Sequence, residues 1–268
     1  METYLDAILE RHRNLASNDD RDALELFDEA LSIPRNGSFL EALSSPGLSV
    51  IAEVKRKSPS KGDLNRFLDP EVLAQAYETG GASAISVLTD SDAFGGSRED
   101  LETVERSCSL PILRKDFVVD IRDIYDAKIM GADAALLIVA VLDDDQLSEL
   151  FEAAISVDLE VLVEVHDEAE LQRALDLGSM IVGVNQRDLR TFSVDTKRAE
   201  RVLGSIPDEI LAVAESGIAT PEDAKDLALK GFDAILVGES FVTSPDPAKV
   251  VSTFDGFPVG PRNMATSI

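Results

Sequence analysis

Apolar residues recur along this chain at two different spacings. In the first part they fall three and four apart, as Leu5, Ile8 and Leu9, then as Leu24, Phe27, Ala30 and Leu31. That is the spacing of one helix face, and it predicts two helices. Ser17 or Asn18 suits the N-cap of the second, and Pro34 ends it. Ser38 and Glu41 have the spacing of a capping box, opening a short third helix that Pro46-Gly47 stops. From Ser49 onward the pattern changes. Short runs rich in β-branched residues occupy 49–55, 84–88, 112–115, 134–138, 161–165, 181–184, 211–215 and 234–237. Between them lie amphipathic stretches such as 70–79, 121–130, 144–156, 168–177, 196–203 and 221–230.

Eight strands with helices between most of them predict an α/β fold, the (β/α)8 or TIM barrel, with an N-terminal helical extension. An internal echo agrees with it. Gly81-Ala82-Ser83-Ala84, Gly131-Ala132-Asp133-Ala134 and Gly231-Phe232-Asp233-Ala234 each end a helix and open strand two, four or eight. Gly178-Ser179-Met180 is a weaker copy before strand six, and each glycine suits a left-handed helix end. A doubly wound open sheet is the alternative, but no GxGxxG follows the first strand. The expected division is residues 1–48 as the extension packed on the barrel, 49–255 as the barrel and 256–268 as a tail, all one structural domain.

Composition narrows the partners. The 268 residues carry 51 Asp and Glu against 25 Lys and Arg, a formal net charge of -26. Such a surface repels phosphate backbones and argues against nucleic acid. The acidic residues are dispersed, as at Asp19-Asp20, Asp143-Asp144-Asp145 and Asp167-Glu168, which suggests a halophilic protein. Cys108 is the only cysteine, leaving no intramolecular disulfide or cysteine-rich metal site. No basic, apolar leader opens the chain, and the longest apolar run, 134–142, is far shorter than the ~20 residues a membrane span needs. A soluble, cytoplasmic protein with no membrane partner is expected; a monomer is plausible, and the sequence leaves the oligomeric state open.

The odd strands end in charge: Glu53 and Lys55, then Arg114-Lys115-Asp116, Glu164 and Glu215. In a (β/α)8 barrel these ends ring one mouth, where active sites lie. Side chains two apart share a strand face, so Glu53 and Lys55 project together, while only one of Arg114 and Lys115 can point inward. With Lys115 and Glu164 inward, lysines and carboxylates shift one another's pKa and suit acid–base work; structural ion pairing is the other reading. At the end of strand six, Asn185 can bond a hydroxyl and Arg187 can hold a carboxylate. A turn-forming Asn and a solvated Arg fit that stretch equally. Ser216-Gly217 and Gly238-Glu239 follow strands seven and eight, the recurrent phosphate position of this fold, with Lys55 a further cation. Phe94 and Phe117 flank the same mouth, as a slot for a planar ligand or as loop packing. His166 follows Glu164 at the same mouth and reads first as a structural hydrogen-bonding group, with a catalytic role as the lesser alternative; His12 reads as a surface residue.

These stretches together resemble the indole-3-glycerol-phosphate synthase family. The resemblance rests on the run from Ile51 to Ser60, on Leu113 to Phe117, Val163 to His166, Asn185 to Leu189, Ala214 to Gly217 and Val237 to Ser240. It covers nearly the whole chain, including the helical extension that the family uses to help cover its site. Gln186 departs from a second Asn common in the family, and the tail after Phe257 matches nothing in it. The resemblance implies a small phosphorylated substrate, 1-(2-carboxyphenylamino)-1-deoxyribulose 5-phosphate, and ring closure with loss of CO2 and water to form indole. It implies Lys115 as the acid on the ketone oxygen and Glu164 as a partner in dehydration. Lys55 would serve dehydration or phosphate binding, and Glu53 and Asn185 would orient the anilino nitrogen and hydroxyls. Ser58 and Arg187 would meet the carboxylate, Pro59, Phe94 and Phe117 would surround the ring, and Glu215 would hold the sugar. Ser216, Gly217, Gly238 and Glu239 would offer backbone N–H groups to the phosphate. No metal or organic cofactor is implied. Another phosphosugar barrel, or a barrel that only binds a phosphorylated ligand, would keep the glycine loops without needing this charged set.

Overall fold

In the computed structural model the described residues are 3–59, 61–189, 191 and 193–262. Ser60 of the basic loop, the first two residues and the tail beyond 262 lie outside them. Three helices come first: α1 (Tyr4–Ser17), α2 (Ala23–Ser32) and α3 (Phe39–Leu43). The chain then alternates β1 (Ser49–Val54), α4 (Pro70–Thr79), β2 (Ala84–Leu88), α5 (Ser91–Phe94), α6 (Arg98–Ser107) and β3 (Ile112–Lys115). Next come α7 (Ile121–Ile129), β4 (Ala134–Ile138), α8 (Asp144–Ser156), β5 (Glu160–Val165), α9 (Glu168–Asp176) and β6 (Ile181–Asn185). The last elements are α10 (Arg198–Leu203), β7 (Leu211–Glu215), α11 (Pro221–Lys230), β8 (Ala234–Val237), α12 (Glu239–Val242) and α13 (Pro247–Val251). The eight strands form a closed parallel barrel in sequence order, sealed where Ser49 to Ala52 pair with Ala234 to Val237. A short hairpin, Lys57–Ser58 with Gly62–Asp63, follows β1.

Burial on both faces explains why the strands read as near-continuous apolar runs: every residue of β1, β2, β4, β6 and β8 is buried. The repeated glycines take the conformation their positions require, with φ of 87° at Gly81, 92° at Gly131, 78° at Gly178 and 105° at Gly231. A side chain there would be strained, which is why the helix-to-strand turns repeat the same residue.

Three local expectations differ from the structure. The cap of α2 is Asp22, whose side chain accepts from Leu24 N, not Ser17 or Asn18. α1 runs through Ser17, and Asn18 closes it. On α2 the buried residues are Leu26 and Ala30, while Leu24 and Leu31 are exposed. α6 is an additional helix, capped by Ser97; it is rich in charge and buries only a narrow face around Leu101 and Val104.

The helices before β1 reach both ends of the barrel. Near α3, Glu160 at the start of β5 accepts from Ser38 Oγ at 2.9 Å and Leu40 N at 2.8 Å. α1 reaches the opposite mouth, where Leu5 and Ile8 form part of the wall of the central cavity. No helix among the described residues is long and apolar enough to cross a membrane.

Candidate active site

The carboxyl ends of the strands surround a cavity of about 460 Å³. Every site residue named from the sequence lines it: Glu53, Lys55, Ser58 and Pro59 after β1, Phe94 after β2, and Lys115 and Phe117 at β3. Glu164 of β5, Asn185 and Arg187 at β6, Glu215, Ser216 and Gly217 at β7, and Gly238 and Glu239 at β8 complete the ring. Leu88, Leu136, Ile138 and Leu236 supply its apolar lining.

At the centre Lys115 Nζ lies 3.0 Å from Glu164 Oε2 and 3.2 Å from Glu215 Oε2. Arg114 is the neighbour that turns away, donating to Thr89 Oγ1, Asp123 O and Asp116 Oδ2 at 3.1, 2.6 and 3.1 Å. Burial alone would push the Lys115 ammonium toward neutrality, but Glu164, Glu215 and Glu53 outweigh it and raise its pKa. Burial likewise opposes charge on Glu164, where Lys115, His166 and Asn185 win and lower its pKa. At Glu215 burial prevails over Lys115, with Glu164 and Glu53 adding to it, and the carboxyl is pushed up to about 7. Two carboxylates on one ammonium thus split into one held ionised and one poised near neutrality.

Glu53 and Lys55 form a second ion pair at the same mouth. Gly238 makes room for it, since a Cβ there would lie 2.4 Å from Glu53 Oε1 and 3.0 Å from Lys55 Nζ. Phe94 and Phe117 stack with ring centroids 6.5 Å apart and planes 24° apart. Across the cavity, Ser216 and Gly217 both take positive φ, 66° and 75°. Gln186, the departure noted in the sequence, donates from Nε2 to Ser216 O at 2.7 Å and so braces that loop.

His12 is not a surface residue. Its side chain is 11% exposed, Nε2 lies 2.8 Å from Asp90 Oδ2, and its ring is 5.7 Å from that of Phe117. Asp116, next to Lys115, is 3.8 Å from His12 Nε2. These acids are answered by Arg11 on Asp90 and Arg114 on Asp116. Sequence reasoning also missed Leu5, Ile8 and Lys61 as lining residues. The helical spacing of Leu5, Ile8 and His12 carried the signal that they share one face, but not what that face covers.

A closed parallel barrel with an acid–base cluster and glycine loops at its carboxyl-terminal mouth defines a (β/α)8 enzyme for a small anionic substrate. The fold is shared with a thiamine phosphate pyrophosphorylase from Pyrococcus furiosus, at TM-score 0.59 and 17% identity over 77% of this chain and 93% of that one. An N-acetylmannosamine-6-phosphate 2-epimerase from Clostridium perfringens also has TM-score 0.59, with 16% identity over 78% and 93%. The family model for indole-3-glycerol phosphate synthase matches residues 5–254. The synthase of Streptomyces griseus is 49% identical over 93% of this chain and 94% of its own length, and that of Mycolicibacterium smegmatis 45% over 93% of each. The chain belongs to the indole-3-glycerol phosphate synthase family, and its activity is that family's carboxy-lyase step in tryptophan biosynthesis. Nothing in these comparisons supports the halophilic expectation.

Proposed function

We propose that the cavity performs this step on 1-(2-carboxyphenylamino)-1-deoxyribulose 5-phosphate with Lys115 as the acid and Glu164 as its acid–base partner. The observation that carries the reading is the Lys115 ammonium shared between Glu164 and Glu215 inside a cavity that has an aromatic slot and two glycine-bearing loops. The anthranilate ring enters beside Phe94, Phe117 and Pro59, its carboxylate toward Ser58 and Arg187. The phosphate takes backbone N–H groups of Ser216, Gly217, Gly238 and Glu239, with Lys55 as the nearby cation. The Glu239 carboxylate turns to Lys61, leaving its backbone for the anion.

The ring carbon bearing the carboxylate attacks the ketone carbon, and the ketone oxygen takes a proton from Lys115. An amine with a raised pKa is a weak acid toward water but not toward a developing alkoxide, and it is charged at every working pH. The bond to the carboxylate then breaks, CO2 leaves, and its electron pair restores the aromatic ring. The new hydroxyl departs as water while the carbon beside the nitrogen loses a proton; Glu164 exchanges protons in this dehydration. Glu53 and Asn185 orient the anilino nitrogen and hydroxyls, and Glu215 holds the sugar. Protonation and positioning suffice for each step, so no cofactor is required. We further infer a cytoplasmic protein without nucleic-acid or membrane partners; the net charge of -26 is what disfavours a phosphate backbone as partner.

The test is indole fluorescence on mixing purified protein with the substrate. Signal growth is expected from wild type and almost none from a folded Lys115→Met variant. Turnover near wild type in that variant would remove Lys115 from the acid role. No signal from wild type would favour another phosphosugar chemistry.

A further inference from the structure

His166 follows β5 and stands behind Glu164, outside the cavity wall. Its ring is held from one side. Glu170 of α9 accepts from the His166 backbone N–H at 2.7 Å and lies 3.0 Å from Nδ1. An ionised carboxylate can only accept, so Nδ1 carries a proton. On the other side Nε2 faces Glu164 Oε1 across 3.7 Å. Both atoms are buried, and neither has a hydrogen-bond partner among the described residues. A histidine kept for packing would satisfy both nitrogens; this one leaves the nitrogen nearest the active-site carboxylate open.

We propose that His166 is a positioning residue for Glu164: as an imidazolium it sets a positive charge against Glu164 Oε1, opposite the Lys115 ammonium at Oε2, and holds the carboxylate ionised and oriented for proton exchange. This deepens the reading above and rests on Glu164 as the acid–base partner. The charged groups facing the ring are Glu164 from the end of β5, Glu170 from α9 and Arg198 from α10. Burial and Arg198 oppose the cation, and the two carboxylates prevail, raising the His166 pKa. The coupling is mutual, since His166 is among the groups that lower Glu164. With Lys115 bonded to Oε2 and the His166 ring facing Oε1, Glu164 has positive charge on both sides before substrate arrives.

The chain has only two histidines, so imidazole nitrogen NMR shows two rings, and His166→Gln assigns the signals. In Glu164→Gln the His166 titration is expected to move down by about half a pH unit or more. In His166→Gln the acid limb of the kcat–pH profile is expected to move up by about half a unit or more, with KM within about twofold. Glu170→Gln, whose site is half-buried, is expected to shift the limb the same way and serves if His166→Gln does not fold. An unmoved His166 curve in an inactive Glu164→Gln variant overturns this proposal alone. Full turnover in Glu164→Gln would instead sink the acid–base reading beneath it. A kcat lowered equally at every pH in His166→Gln, with the limb in place, also overturns it and marks a structural residue.

Discussion

Gly183 of β6 faces the carboxylate of Glu215 on β7: a Cβ at Gly183 would lie 2.2 Å from Glu215 Oε1. The missing side chain is what allows Glu215 to lean over the barrel and reach Lys115 at 3.2 Å. Gly183→Ala should therefore push Glu215 off the ammonium. The added methyl costs about 1–3 kcal/mol in a packed interior, so the barrel should still fold. Turnover should fall at least about tenfold, the equivalent of about 1.4 kcal/mol lost in the transition state. Indole fluorescence and a thermal melt on the same sample check both halves. A folded variant with wild-type turnover would show that Glu215 is not needed where it stands.

Glu215 also gives the fold a pH signature. Its pKa is raised from 4.5 to about 7, chiefly by burial. Between those values the folded chain holds a proton that the unfolded chain has released. Its contribution is therefore lost as pH rises across that window and falls no further above it. Glu215→Gln cannot titrate there. The melting temperature of the variant minus that of wild type should climb from about pH 4.5 to about pH 7 and then level. Parallel curves through the window would mean that the carboxyl ionises normally in the folded state.

Much of the site was legible because charge is costly inside apolar strands. Glu53, Lys115, Glu164 and Glu215 each interrupt or end a buried run, so their presence needs a reason that barrel topology supplies at once. What was hidden depends on distance across the fold. His12 meets Asp90 78 residues away, and no local pattern around His12 announces a partner. The end of α1 could not be told from the cap of α2, because Ser17, Asn18 and Asp22 all satisfy the same capping chemistry. The unequal ionisation of Glu164 and Glu215 rests on which carboxylate lies nearer to Lys115 and His166, and spacing along the chain carries no such measure.

His12 fastens α1 to the mouth. It shares a helix face with Leu5 and Ile8, which line the cavity, and it bonds Asp90, the N-cap of α5 just after β2. The Asp90 carboxyl is held down at about 2 by His12 and Arg11 together with the Ala93 backbone, against its burial. His12→Ala removes one of these bonds, worth about 1.5–3 kcal/mol to a charged partner. The wall formed by Leu5 and Ile8 should loosen, raising KM about five- to tenfold while kcat changes less. Steady-state kinetics on wild type and variant decide it. A loss confined to kcat would place the effect on Lys115 through Asp116 rather than on α1.

The last expectation concerns the surface. With 51 acidic against 25 basic residues, like charges crowd one another over most of the exterior, and the exposed ion pairs recover little. Arg98–Glu102 and Arg201–Asp195 are of this kind, and such pairs are worth about 0–1 kcal/mol. Repulsion among the remaining acids acts over the Debye length, which shrinks from about 10 Å at 0.1 M salt to about 3 Å at 1 M. KCl should therefore screen more repulsion than attraction and stabilise the fold. Melting temperature should rise by at least about 2–4 °C over that range, the equivalent of about 1 kcal/mol in a chain of this size. Activity should persist in the higher salt, because the buried contacts around Lys115 are screened far less than the surface. A melting temperature that stays level or falls would mean that the acidic exterior is already balanced by its ion pairs, and the halophilic expectation would fall with it.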